Sequence, residues 1–301
     1  FNQAGKYVSL ITKYNDIAMV ALLVIVIGLM IVPLPTPVMD TFIGINLALS
    51  FLMLMMSMYV KTPLQFSVFP TMLLFTTLFR VGLNIATTRL ILLQADAGEC
   101  IYTFGEFAGG GNFVVGAVVF LILTIVQFLV VAKGAERVAE VGARFTLDAM
   151  PGKQMSIDAD LRAGVINMEE AQKRRAEVQM ESKMYGAMDG AMKFVKGDSI
   201  AGMVVTVVNI IRGTIIGITQ RDLGAAEALQ VYGILTIGDG LVSQIPSLLV
   251  AISAGILITR SGDTKDDVGA QVGKQFFAQP RAMQMAGGLI FLLALIPGFP
   301  K

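Results

Sequence analysis

The sequence predicts an all-α polytopic membrane protein, and three observations lead there. Of 301 residues, 55% are apolar and only 15% are charged, with a mean hydropathy of +0.72. Soluble domains carry about 25% charged residues, so polar side chains here are too few to coat a core of this size unless lipid covers much of it. Third, the charge is concentrated between Lys133 and Asp198, with long apolar runs on either side.

The elements follow in order. Residues 1–16 are mixed polar. Residues 17–33 are nearly all apolar and, at about 1.5 Å per residue, just span a hydrocarbon core of roughly 30 Å. The run lacks a small-residue cleavage signal, so no removable leader is expected. Pro33, Pro35 and Pro37 stop this first span. Residues 40–60 form the second, with Asn46 and Ser50 four apart and turned toward protein. Its methionines at 53–58 read as flexible core filling. The third span covers about 69–93 and carries Arg80, Asn84 and Thr87 or Thr88 at helical spacing, a polar stripe. Arg89 lies nine residues beyond Arg80, on roughly the opposite side and near the span's end, where it can snorkel. Residues 94–111, with Asp96, Glu99, Glu106 and Gly109–Gly111, are expected to leave the membrane on the less basic side, with Cys100 in that loop. The fourth span is 112–132, interrupted by Gln127.

The 133–198 segment reads as a helical loop insertion. Glu136, Arg137 and Glu140 have helical spacing and continue the fourth span. Pro151-Gly152 signals a turn. A second helix is expected over 168–195, with Glu169–Lys173 and Glu170–Arg174 as ion pairs. Glu181 has no partner four residues on. Val178, Met184, Met188 and Met192 give this helix a weakly apolar face, so the loop reads as a hairpin packed on the membrane block. Lys193, Lys196 and Asp198 crowd the membrane boundary, where two readings stay open: transmission of loop movement, or simple anchoring of the fifth span by snorkelling lysines with Asp198 as a helix N-terminal cap.

The fifth span is 200–219, with Asn209 and Arg212 on one face near its middle and Gly213 and Gly217 permitting close packing. Residues 228–258 are too long for one simple straight span. Gly238-Asp239-Gly240 and Pro246 predict a broken or kinked helix. After a polar loop from Arg260 to Arg281, residues 282–296 form the seventh span, ended by Pro297-Gly298-Phe299-Pro300. With a cytoplasmic N-terminus, Lys6, Lys13, Lys61, the 133–198 loop, Arg260, Lys265, Lys274 and Arg281 fall on one side. The other side holds chiefly Arg221 and Lys301, a positive-inside pattern. The odd count implies an eighth span missing from the sequence. The domains are therefore 1–132 with four spans, the cytoplasmic loop 133–198, and 199–301 with three.

Several chemistries are excluded. The net charge of +1 with no dominant basic patch argues against nucleic acid. There is no histidine, so no histidine triad and no histidine metal site exist, and no cofactor is expected. One cysteine excludes an internal disulfide framework. No phosphate-binding Gly-Lys-Ser/Thr motif occurs. No constellation supports an enzyme. What remains is electrostatic. Asp239, flanked by glycines inside an apolar run, is the best proton-responsive candidate, with Arg80 and Arg212 as conceivable partners. The readings open at this level are proton coupling, an ion or solute transporter, and a non-conducting scaffold.

Longer text adds to this. Residues 136–160, ERVAEVGARFTLDAMPGKQMSIDAD, and 185–198, YGAMDGAMKFVKGD, closely resemble the signature of the flagellar and injectisome type III export-gate family. Leu78-Phe79-Arg80, Thr88-Arg89-Leu90 and Thr236-Ile237-Gly238-Asp239-Gly240-Leu241-Val242 also fit, and the resemblance covers essentially the whole chain. Lys153-Gln154-Met155-Ser156-Ile157-Asp158 is more similar to injectisome members. The resemblance implies eight transmembrane helices and a large cytoplasmic C-terminal domain, whose last span and domain lie outside this sequence. It implies a bacterial inner-membrane location and a homo-oligomeric ring, most often a nonamer, that uses the proton motive force for protein export. It implies small membrane proteins of the export apparatus as partners, with the ATPase stalk and chaperone–substrate complexes meeting mainly the C-terminal domain. Arg80, Arg89, Lys193, Asp198, Arg212 and Asp239 are the residues it assigns to coupling.

Overall fold

The computed structural model describes residues 15–110, 113–260 and 268–294. Lys6, Lys13, Gly111, Lys265, Lys301 and the closing proline turn lie outside the described residues. Every regular element among the described residues is helical. The order is α1 (Asn15–Ile31), α2 (Thr36–Tyr59), a short 3-10 turn (Pro63–Phe66), α3 (Phe69–Gln94), α4 (Glu99–Gly109) and α5 (Phe113–Val126). A π-helical segment (Gln127–Ala132) leads into α6 (Lys133–Arg162), followed by α7 (Met168–Gln220), α8 (Ala225–Thr259), α9 (Val268–Phe277) and α10 (Pro280–Ala294).

Five helical stretches are long and apolar enough to cross a membrane: Thr36–Tyr59, Pro63–Gln94, Phe113–Arg162, Met168–Gln220 and Ala225–Thr259. The first and last expected spans correspond to α1 and α10, helices of 17 and 15 residues. Only 17% of the apolar window of Phe113–Arg162 is buried. Val118, Leu121 and Ile122 stand exposed along it. Such a face is stable against hydrocarbon and not against water.

Two apolar cores hold the bundle. One joins α1, α2, α3, α4 and α8 through Leu29, Met39, Ile43, Leu83, Ile91, Ile101 and Tyr232. The other joins α2, α3 and α8 to the α6–α7 hairpin, with Met53, Phe69, Leu73, Val250 and Leu257 against Met184, Met188 and Met192. The methionine face of α7 thus seats the hairpin on the membrane block, as its spacing suggested. Met188 and Met192 are fully buried, where unbranched thioether side chains fill irregular gaps. Asn46 and Ser50 also face inward, Ser50 Oγ donating to the Asn46 carbonyl at 2.9 Å.

Several local expectations are corrected. Pro151-Gly152 makes no turn; α6 runs through it. Proline removes one helical N–H and frees a carbonyl, and here both Pro151 and Leu147 are exposed, so the freed carbonyl stays accessible. The turn lies later, at Gly164 with a left-handed φ of 71°. Asn167 then caps α7, its side-chain oxygen accepting from Glu170 N at 2.8 Å. Glu170–Arg174 forms at 3.2 Å. Glu181, with no partner four residues on, pairs instead with Lys153 of α6 at 2.7 Å, because the hairpin brings the two helices together. Cys100 lies in a helix rather than a loop. That helix, α4, starts where Asp40 of α2 accepts bonds from Glu99 N and Cys100 N, a carboxylate on a helix N-terminus.

Candidate functional site

The polar stripe of α3 meets α5, α7 and α8 inside the bundle. Arg80 is 2% exposed. Its Nε donates to Asp198 Oδ2 at 2.7 Å, and Nη2 lies 2.6 Å from the same oxygen. The Asp198 side chain is only 6% exposed. Asp198 Oδ1 accepts no hydrogen bond among the described residues. The pair borders a cavity of about 40 Å³ that Asn84, Thr124, Gln127, Ser243 and Gln244 also line. Gln244 Nε2 donates to Thr124 Oγ1 at 2.7 Å. Gln127 Nε2 is buried with no hydrogen-bond partner among the described residues. A space of this size with several polar walls suits water, and not a solute.

Asp198 was expected at a helix start. Instead α7 is one helix of 53 residues, and Asp198 sits in its interior with no N-terminus to cap. The same helix therefore carries the hairpin, the buried carboxylate and the fifth apolar span.

Asp239 occupies a neighbouring niche. It is 7% exposed and lines a smaller cavity of about 10 Å³ with Asn46, Arg80, Asn84, Thr87 and Ser243. Thr87 Oγ1 donates to the Asn84 carbonyl oxygen at 3.1 Å and lines the same cavity as Asp239. The glycines beside it do not break the helix: α8 is continuous from Ala225 to Thr259, with Pro246 inside. They serve packing. A Cβ at Gly238 would overlap the Ile101 carbonyl oxygen of α4, and one at Gly240 would overlap the Phe120 ring of α5. Close approach on two sides leaves Asp239 turned toward α2 and α3.

The structure separates the other expected residues from this set. Lys193 is exposed and bound to Asp189 at 3.0 Å, four residues earlier; the bond to that carboxylate raises its ammonium above the ordinary value. Lys196 bridges to Glu136 of α6 at 2.9 Å and ties the hairpin at its base. Arg89 donates to the Ile31 and Met30 carbonyls at 2.7 and 3.0 Å, a cation on the C-terminus of α1. Arg212 is exposed and lines a different cavity, so it is not the partner of Asp239. Its expected neighbour Asn209 is buried and donates to Thr88 Oγ1 at 3.1 Å. Gly213 and Gly217 do permit close packing, against Tyr232 and Ala228 of α8.

In the sequence, Gln127 stands out only as a polar interruption of the fourth span. It begins the π-helical segment, a winding that recurs at functional sites. A lone amide inside a fourteen-residue apolar helix and its extension was the available signal.

The family model described as the FHIPEP family matches residues 26–301. Low calcium response locus protein D of Yersinia pestis is 58% identical over 296 residues, covering 98% of this chain and 42% of that protein. Hypersensitivity response secretion protein HrcV of Ralstonia nicotianae is 56% identical over 292 residues, 95% of this chain and 42% of that protein. Secretion system apparatus protein SsaV of Salmonella typhimurium is 52% identical over 299 residues, 99% of this chain and 44% of that protein. The chain thus spans less than half the length of these relatives. No solved structure matches it.

Proposed function

Because this chain belongs to the FHIPEP family, we propose that it is the membrane part of a type III export gate that couples proton passage to protein export. It is a multi-pass protein of the bacterial inner membrane. One observation carries the coupling proposal: Arg80, Asn84 and Ser243 line both the Asp198 cavity and the Asp239 cavity. One arginine therefore borders the cavities of two carboxylates. With both ionised the set bears one net negative charge; with one proton it is neutral. In a water-poor interior that difference is worth several kcal/mol, enough to bias one helix arrangement over another.

The path runs from Asp239 past Thr87 and Asn84 to Arg80, then to Asp198. Protonating Asp239 removes the second negative charge from the surroundings of the Arg80–Asp198 pair. A change there is transmitted along α7, because the helix is unbroken from Asp198 back to Met188, Met192 and the hairpin. Seven crossings, with the N-terminus and the 133–198 hairpin cytoplasmic between membrane blocks 1–132 and 199–301, complete the reading. So do a homo-oligomeric ring, most simply of nine copies, and contacts with small membrane proteins of the apparatus. Docking of the ATPase stalk and of chaperone–substrate complexes is assigned to no residue here. The two cavities beside Arg80, of about 40 and 10 Å³, favour a proton or water path there over passage of a solute.

Asp239→Asn in the full-length protein tests the proposal. It is expected to insert, assemble and lose export. Export at the parental rate would refute the coupling role, and failure of assembly with the Asn variant would favour the scaffold reading.

A further inference from the structure

A third cavity, between the C-terminal ends of α3 and α7, is of another kind. Its volume is about 930 Å³, and Arg89, Arg212 and Arg221 all line it, with no Asp or Glu among the lining residues. The Arg212 side chain makes no hydrogen bond or ion pair among the described residues. Arg89 uses Nη1 and Nη2 on the α1 carbonyls, and Arg221 uses Nη2 on the Leu93 carbonyl at 3.0 Å. A guanidinium has five N–H donors, so each arginine has some to spare. The Asn209–Thr88 hydrogen bond ties α3 to α7 beside the cavity.

Three cations on one cavity repel one another unless an anion joins them. The setting indicates which anion. Arg212 lies eight residues before Gln220, the end of α7, a depth of about 12 Å along the helix. Leu92, Leu93 and Ile215 are walls of the same cavity. Leu93 and Ile215 are also among the strongly exposed apolar residues, so the rim faces lipid. A site that joins guanidinium groups to an apolar, lipid-facing rim matches an amphiphile: a phosphate for the arginines, a glycerol and acyl chains for the walls.

We propose that this cavity binds the headgroup phosphate of an anionic phospholipid, in the leaflet opposite the α6–α7 hairpin. The lipid bridges α3 and α7 at the end away from the Arg80–Asp198 pair. The proposal stands on the cavity and does not depend on the coupling path.

The test uses the full-length protein in detergent, titrated separately with phosphatidylglycerol, phosphatidylcholine and inorganic phosphate, with retained lipid counted by native mass spectrometry. Phosphatidylglycerol is expected to be retained in preference to phosphatidylcholine. Each arginine lost is expected to weaken it roughly fivefold, so that Arg212→Gln with Arg221→Gln weakens it about 25-fold. Arg212→Lys is expected to keep most of the affinity. The Arg212 side chain makes no hydrogen bond or ion pair among the described residues, so Arg212→Gln by itself decides the matter if the double variant does not fold. Unchanged retention in Arg212→Gln, equal retention of phosphatidylcholine, or displacement of the lipid by equimolar inorganic phosphate would each overturn the proposal.

Discussion

Separating the Arg80–Asp198 pair tests the packing on which the coupling proposal stands. The two side chains are 2% and 6% exposed and meet at 2.6–2.7 Å. Asp198→Leu leaves the guanidinium buried and without its counter-charge. Removing one partner of such a pair costs about 3–5 kcal/mol, whereas replacing both by apolar side chains of similar volume is often neutral. Asp198→Leu and Arg80→Met are therefore each expected to destabilise the protein by about 3–5 kcal/mol. The double variant is expected to be more stable than either single variant. The interaction free energy from the cycle should reach about 3 kcal/mol or more. Unfolding by sodium dodecyl sulfate in mixed micelles, followed by helix circular dichroism, measures all four proteins. Although stable, the double variant is expected to export nothing, which separates the pair's functional role from its structural one. Costs that simply add, with the double variant the least stable of the four, would refute the reasoning.

Other perturbations have smaller or more local effects. Gly238→Ala places a methyl group against the Ile101 carbonyl and is expected to cost about 1–3 kcal/mol in the same unfolding assay as α4 is forced from α8. Asn167→Ala removes the cap of α7; a loss of about 1 kcal/mol, with faster hydrogen exchange at the Glu170 amide, is expected. Gln127→Leu removes a polar wall of the Asp198 cavity and is expected to leave assembly unchanged while export falls.

Much of the site was legible in the residues because helical spacing is a strong constraint. Arg80, Asn84 and Thr87 at i, i+4 and i+7 had to share a face, and they do. The methionine face of α7 was equally plain. The limits of legibility are also physical. Lys193, Lys196 and Asp198 read as a membrane boundary because clustered charge often marks one. Nothing in the local sequence shows that Arg80, 118 residues earlier in the chain, neutralises Asp198 and lets the helix continue. Gly238 and Gly240 read as breakers for the same reason, since the α4 carbonyl and the Phe120 ring that need their missing side chains are distant in sequence. The Lys153–Glu181 pair likewise required the hairpin. The α4 helix carries a signal of its own in the sequence: Ile101, Gly105 and Gly109 are spaced by four and form its buried face.

Carboxyl-stretch infrared difference spectroscopy, on the reconstituted full-length protein as pH is stepped, observes protonation directly. A band gained on acidification that is lost in Asp239→Asn, and altered in Arg80→Met, is the result expected. A difference spectrum that Asp239→Asn leaves unchanged would show that no proton is exchanged at Asp239, and would contradict the account.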